Sequence, residues 1–103
     1  MTTTSSKEKI YKRAVKQWGK PMQMIMALEE MAELSKELTK NMRGKNNEIG
    51  VCEEIADVEI MLEQLRVMFN ENLINERKET KLKRLKELVE ANPTAKDVVE
   101  RRA

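Results

Sequence analysis

The residues in this chain best suited to chemistry are carboxylates at helical spacing. Glu29, Glu30 and Glu33 stand in the segment Glu29-Glu30-Met31-Ala32-Glu33, and Glu54 and Asp57 stand in Glu54-Ile55-Ala56-Asp57. Each segment sets two acids three positions apart, which makes them neighbours on one side of a helix. The rest of the inventory narrows the chemistry by exclusion. The 103 residues include one Cys and no His, which removes disulfide frameworks, imidazole metal sites and His-activated nucleophiles. Carboxylates without His or Cys are hard oxygen donors. They suit Mg²⁺, with Mn²⁺ as the other candidate, and leave coordination positions to water or phosphate. A di-iron bundle needs Glu-x-x-His pairs and an EF-hand needs an Asp-x-Asp-x-Asp-Gly loop, and the chain has neither.

Helical phase singles out particular acids. At about 100° per residue, Val51, Ile55, Val58, Met61, Leu62, Leu65, Met68 and Phe69 form one apolar stripe, with Glu54 in its middle and Asp57 at its edge. The opposite, solvated face takes Glu59, Glu63 and Arg66. In the preceding helix the solvent arc holds Glu29, Lys36, Lys40 and Arg43, while Glu30 points away from it, between Met26, Ala27 and Leu34, and Glu33 and then Glu37 follow. A carboxylate on a packing face costs several kcal/mol unless something compensates it. If the two helices pack antiparallel, as their short connection favours, Glu30, Glu33, Glu54 and Asp57 converge.

The elements that must position these acids can be read from the composition. Apolar residues are 40% and charged residues 37% of the chain, with one Trp, one Tyr and one Phe. That abundance of Met, Leu, Glu and Lys and shortage of β-branched and aromatic residues is the composition of an all-α protein. Four helices are expected in one domain over 1–103, with 1–4 a flexible N-terminus and 93–103 a tail. The first starts at a Ser5 or Ser6 cap and runs to Trp18, where Gly19-Lys20-Pro21 breaks it. The second opens with Pro21 as its first residue and stops at Arg43-Gly44, the Gly supplying a left-handed cap. The third runs from Glu48 to Phe69 or Asn70. The fourth opens at Asn72 or Asn75 and ends before Asn92-Pro93, and Asp97 completes a capping pattern in the tail. Such helices carry more apolar surface than one short bundle hides, above all in the Met-rich run from Met22 to Met31, so a homo-oligomer is expected.

With spacing, phase and connecting loop in view, Glu29-Glu30-Met31-Ala32-Glu33 followed after 20 residues by Glu54-Ile55-Ala56-Asp57 resembles the EExxE…ExxD signature of the MazG-like all-α nucleoside triphosphate pyrophosphohydrolases. The resemblance is nearest to the small single-domain phage and prophage members and covers roughly residues 18–90. It implies a four-helix bundle, an obligate dimer or tetramer, and Mg²⁺-dependent cleavage of an NTP or dNTP between its α- and β-phosphates, giving a nucleoside monophosphate and pyrophosphate. By position, Glu30, Glu33, Glu54 and Asp57 become metal ligands, and Glu29 orients a ligand or the attacking water. Lys81 and Arg84, at i, i+3 on the basic fourth helix, match the family's phosphate contacts, and Trp18 is placed to stack on a base. Ala56 stands where the family often has Gly.

Charge distribution frames the alternatives. Residues 1–20 carry six Lys/Arg against one acid, residues 29–63 ten acids against four bases, and residues 76–103 nine bases against six acids, for a net charge of +2. Basic ends could serve a non-catalytic helical module that binds nucleic acid or a protein partner, with Lys7, Lys9, Lys12, Arg13 and Lys16 as its footprint. The acidic centre and small net charge argue against a stable nucleic-acid partner. No apolar run is long enough to span a bilayer and the N-terminus has no signal-peptide pattern, so a cytoplasmic protein without a membrane partner is expected.

Overall fold

The computed structural model of the chain describes residues 4–91 and 94–96. Among them the regular elements are helical: α1 (Thr4–Trp18), α2 (Lys20–Met42), α3 (Glu48–Met68) and α4 (Glu71–Ala91), with no strand. The chain divides into two compact units, Met1–Phe69 with α1 to α3 and Asn70–Ala103 with α4. No helix of the described residues is long and apolar enough to cross a membrane.

Local chemistry sets the helix ends. Gly19 alone separates α1 from α2: its N–H closes α1 on the Val15 carbonyl at 2.8 Å, and its own carbonyl accepts the Gln23 N–H at 3.1 Å. Helix α2 therefore starts at Lys20, one residue earlier than expected, and Pro21 takes the second helical position, where an N–H has no intrahelical partner in any case. At the other end of α2 the Gly44 N–H bonds the Asn41 carbonyl at 3.0 Å and the Lys45 N–H bonds the Lys40 carbonyl at 3.1 Å. With Gly44 at φ +89° this is a Schellman cap, the stop expected at that glycine. Two expected N-caps are corrected. Helix α1 already includes Thr4, so Ser5 and Ser6 lie inside its first turn. Helix α4 is capped by Asn70, whose Oδ1 accepts the Leu73 N–H at 3.0 Å, and not by Asn72 or Asn75. Asn70 wins because it immediately follows the extended Phe69 that closes α3. Asp97 lies outside the described residues.

In the first unit α2 and α3 run antiparallel, and their register is marked at two levels. Near the connecting loop Glu37 lies over Gly50: a Cβ there would fall 2.5 Å from Glu37 Oε1. Seven residues further along each helix, in opposite directions, Glu30 meets Asp57. A further seven residues bring Gln23 level with Gln64, and a seven-residue repeat is what keeps two helices in step. Between these polar levels sit the buried Ala27 and Met61. Helix α1 packs on both, and its Tyr11 hydroxyl donates to Glu63 Oε1 at 2.8 Å while Lys7 Nζ lies 3.6 Å from Glu63 Oε2. Glu63 is thus half-buried and engaged by α1, not part of a solvated face, and Arg66 is half-buried as well. The Glu63 carboxylate and partial burial hold the Tyr11 phenol above its ordinary range.

The α3 stripe is narrower than its sequence. Met61 is buried and Val51, Val58, Leu65 and Met68 are half-buried, whereas Ile55, Leu62 and Phe69 remain exposed. These three recur every seven residues on a line that α2, occupying the Glu54 side, does not reach. Lys40 also leaves the expected solvent arc of α2 and bonds Glu37 Oε2 at 3.2 Å.

Two expectations follow. Gln23 is fully buried; its Nε2 reaches just the Met26 sulfur at 4.0 Å and its Oε1 has no partner among the described residues. Gln23→Met keeps the volume and removes an unsatisfied carbonyl, so it stabilises the fold by about 1 kcal/mol; a lower denaturation midpoint than wild type refutes this. Glu37 accepts hydrogen bonds from Asn47 Nδ2 at 3.0 Å and from Lys40, which hold its carboxyl below the ordinary range. Its stabilising effect is complete above the unfolded-state pKa near ~4.3 and disappears as pH falls through the lower folded value. The stability gap between wild type and Glu37→Gln therefore stays constant from neutral pH down to that point and narrows below it; a gap unchanged across the acid range contradicts the assignment.

Candidate metal centre

The α2–α3 register decides which acids meet. Glu30 comes from the α3-facing side of α2, flanked by Ala27 and Leu34, and Glu54 and Asp57 come one turn apart from α3. Each offers a carboxylate oxygen within 4.8 Å of the other two. Glu30 and Glu54 are half-buried and Asp57 is exposed, so the cluster reaches from the seam to the surface. Burial raises the Glu30 carboxyl above its ordinary value, and the nearby carboxylates of Asp57 and Glu54, with their hydrogen bonds to it, raise it further. Glu54 Oε2 is buried with no hydrogen-bond partner among the described residues. Among the described residues, no Lys or Arg forms an ion pair with any of the three.

Of the four acids expected to converge, the structure thus brings together three. Glu33 is exposed one turn along α2 and is not in the group, and Glu29 is exposed as well. Glu37 serves the loop: its backbone carbonyl and Oε1 both accept from Asn47 Nδ2, at 2.9 and 3.0 Å, which ties the end of α2 to the start of α3. Trp18 is exposed at the end of α1. Lys81 and Arg84 belong to the second unit, where they line a groove of about 740 Å³ together with Arg77, Leu82, Leu85 and the buried Leu88. Comparison of the chain with protein-family models, with curated proteins and with solved structures finds no match.

The donor set fits a hard divalent cation. Oxygens bound at 2.0–2.1 Å in an octahedron stand about 2.9 Å apart when adjacent and about 4.2 Å apart when opposite. Oxygens already within 4.8 Å of one another need little movement to close on such an ion. Three protein oxygens leave half of an octahedron for water or phosphate. The seam also has an uncompensated electrostatic cost: like charges, two of them half-buried, with an inner Glu54 oxygen that nothing among the described residues satisfies.

Sequence reasoning passed over Gln23 and Gln64, which stand seven residues from Glu30 and Asp57 in the same seam. The signal was present, because the heptad that carries the acids carries the amides too.

A cation that binds here stabilises the folded chain by about 2.7 kcal/mol at a hundredfold excess over its Kd. Millimolar Mg²⁺ or Mn²⁺ should therefore raise the melting temperature of wild type and leave Glu54→Gln unmoved. In chelator, Glu54→Gln should melt above wild type, since it removes one of three clustered charges. Equal melting curves with and without metal exclude the centre.

Proposed function

We propose that the chain is a Mg²⁺-dependent nucleoside triphosphate pyrophosphohydrolase of the MazG-like kind, cutting an NTP or dNTP into a nucleoside monophosphate and pyrophosphate. One observation carries the reading: Glu30, Glu54 and Asp57 converge across a helix seam, and among the described residues no Lys or Arg pairs with them and the inner oxygen of Glu54 has no partner. The spacing of these acids, with Glu29 and Glu33 beside them, matches the EExxE…ExxD pattern. A helical module serving only as scaffold gains nothing from three like charges at its packing face, which weighs against a purely structural or nucleic-acid-binding role.

In this reading Glu30, Glu54 and Asp57 hold the ion, and Glu33 joins them by rotation of its exposed side chain. Bound magnesium would neutralise triphosphate oxygens and acidify a coordinated water. The protein's own part is positioning and charge. Glu29, at the outer end of the motif, accepts the proton of the attacking water as its oxygen bonds to the α-phosphorus, and the bond to the bridging oxygen breaks to release pyrophosphate. Within the same unit, the exposed face of Trp18 offers a surface on which a base can stack.

The test is a turnover screen over canonical and modified NTPs and dNTPs in Mg²⁺, with pyrophosphate and orthophosphate scored separately. Wild type should release pyrophosphate from at least one nucleotide, and Glu54→Gln should lose more than about 100-fold of that rate. Orthophosphate as the sole product would move the cut to another phosphate. No turnover of any nucleotide would reject the enzyme reading.

A further inference from the structure

Two buried amides share one level of the α2–α3 seam. The register that sets Glu30 on Asp57 also sets Met26 level with Met61 and Gln23 level with Gln64. The two helices therefore present the same pair reversed, Gln-x-x-Met on α2 and Met-x-x-Gln on α3. Gln23 is 0% exposed and Gln64 8%. Their amide nitrogens are spent on sulfur: Gln23 Nε2 lies 4.0 Å from Met26 Sδ, and Gln64 Nε2 lies 3.5 Å from Met61 Sδ. That leaves the two carbonyl oxygens, Oε1 of each glutamine, buried with no partner among the described residues. Both orphans are acceptors, so what satisfies them must donate, and donate twice. Turning either amide over would set its carbonyl oxygen against a thioether sulfur, acceptor facing acceptor, so the sulfurs fix the orientation.

We infer that Gln23 and Gln64 read the base of the nucleotide, and that the base they take carries an exocyclic amino group, as cytosine and adenine do. The inference rests on the reading above for its ligand and adds the base to it. One amino nitrogen has two hydrogens, one for each orphan carbonyl, whereas an oxo group in the same place brings lone pairs up to lone pairs. Reach agrees. The amides stand seven residues from Glu30 and Asp57, about 10 Å along the helices, close to the span of a nucleotide from its phosphate to the far edge of its base. Trp18 is at the same end of α2: the residue after it, Gly19, accepts the Gln23 N–H at 3.1 Å. Access is through α1. One residue, Gly19 at φ +88°, joins α1 to α2, and Tyr11 and Lys7 of α1 both engage Glu63, the neighbour of Gln64. A swing of α1 about Gly19 opens the amide level while α2 and α3 keep their register. Two unsatisfied carbonyls in so thin a core are a cost that the fold alone does not explain and a base reader does.

The experiment is calorimetric binding, to the full chain, of matched monophosphates that exchange the amino group for oxygen: dCMP against dUMP, and AMP against IMP. Monophosphates report on the base whether or not the chain hydrolyses triphosphates. In at least one pair the amino member should bind more than about 100-fold tighter than its oxo partner. Gln23→Met and Gln64→Met keep the side-chain volume, and each should bring that ratio close to one while helical content by circular dichroism is retained. Tyr11→Phe loosens α1 and touches neither amide, so it should speed nucleotide association and leave the ratio as in wild type. An unchanged association rate would reject α1 as the cover. Equal binding within both pairs, a ratio that survives both glutamine variants, or no binding of any of the four would overturn the proposal. Pyrophosphate release at equal kcat/KM from dCTP and dUTP, and from ATP and ITP, would leave the enzyme reading standing and refute this one. Discrimination between the bases without turnover of any triphosphate would do the reverse.

Discussion

The register between α2 and α3 is the constraint on which the rest of the first unit depends. It is set where the helices leave their loop: the Glu37 carboxylate lies against the bare backbone of Gly50, and Asn47 bonds both the Glu37 carbonyl and its side chain. From that anchor a repeat of seven brings Glu30 to Asp57 and then Gln23 to Gln64. A slip of one residue would rotate every later level by about 100°, separating the acids of the two helices. A side chain at position 50 would displace the Glu37 carboxylate from the loop it holds. A glycine inside a helix is unfavourable by roughly 1 kcal/mol relative to alanine, and here close approach is what it permits.

The same helix shows how little residue type says about charge state. Glu30 and Glu37 are both half-buried and seven residues apart on one face of α2. Asn47 and Lys40 donate to Glu37 and pull its carboxyl down. Burial and two facing carboxylates push that of Glu30 up. One is a carboxylate supplied with donors, and the other is a carboxyl for which the described residues provide no cation. That contrast between two glutamates in one seam separates the loop staple from the candidate centre.

The hydrophobic interior of the first unit is thin, with Ala27 and Met61 buried and two glutamines buried beside them. Each glutamine has an Oε1 without a partner among the described residues, and their amide groups reach the weak acceptor sulfurs of Met26 and Met61. A seam built this way gains modestly from burial, and the large apolar side chains lie elsewhere: on a second face of α2 that holds Met24, Leu28 and Met42, and along Ile55, Leu62 and Phe69 of α3. A helix with two apolar faces roughly 100° apart has the geometry of a bundle member that touches two neighbours. Within the first unit α2 meets α3 through one of these faces and also touches α1.

Much of this was legible in the residues alone. Helical composition, Gly19 with Pro21, and Gly44 placed the first three helices within a residue or two, because capping and left-handed backbone are decided by neighbours in sequence. The acids of the seam were legible from their phase on each helix. Ser5, Ser6, Asn72 and Asn75 were misjudged as caps because several polar residues near a helix end can do that job, and local chemistry does not rank them. What lay beyond the sequence depends on contacts across the fold. That Glu63 takes Tyr11 and Lys7 of α1, that Glu37 turns to Asn47, and that Glu33 stays outside the triad all follow from which side of each helix a neighbour covers. Periodicity gives the phase of a helix about its own axis. Only tertiary packing chooses among its faces, since it is the approach of a second helix that removes one of them from water.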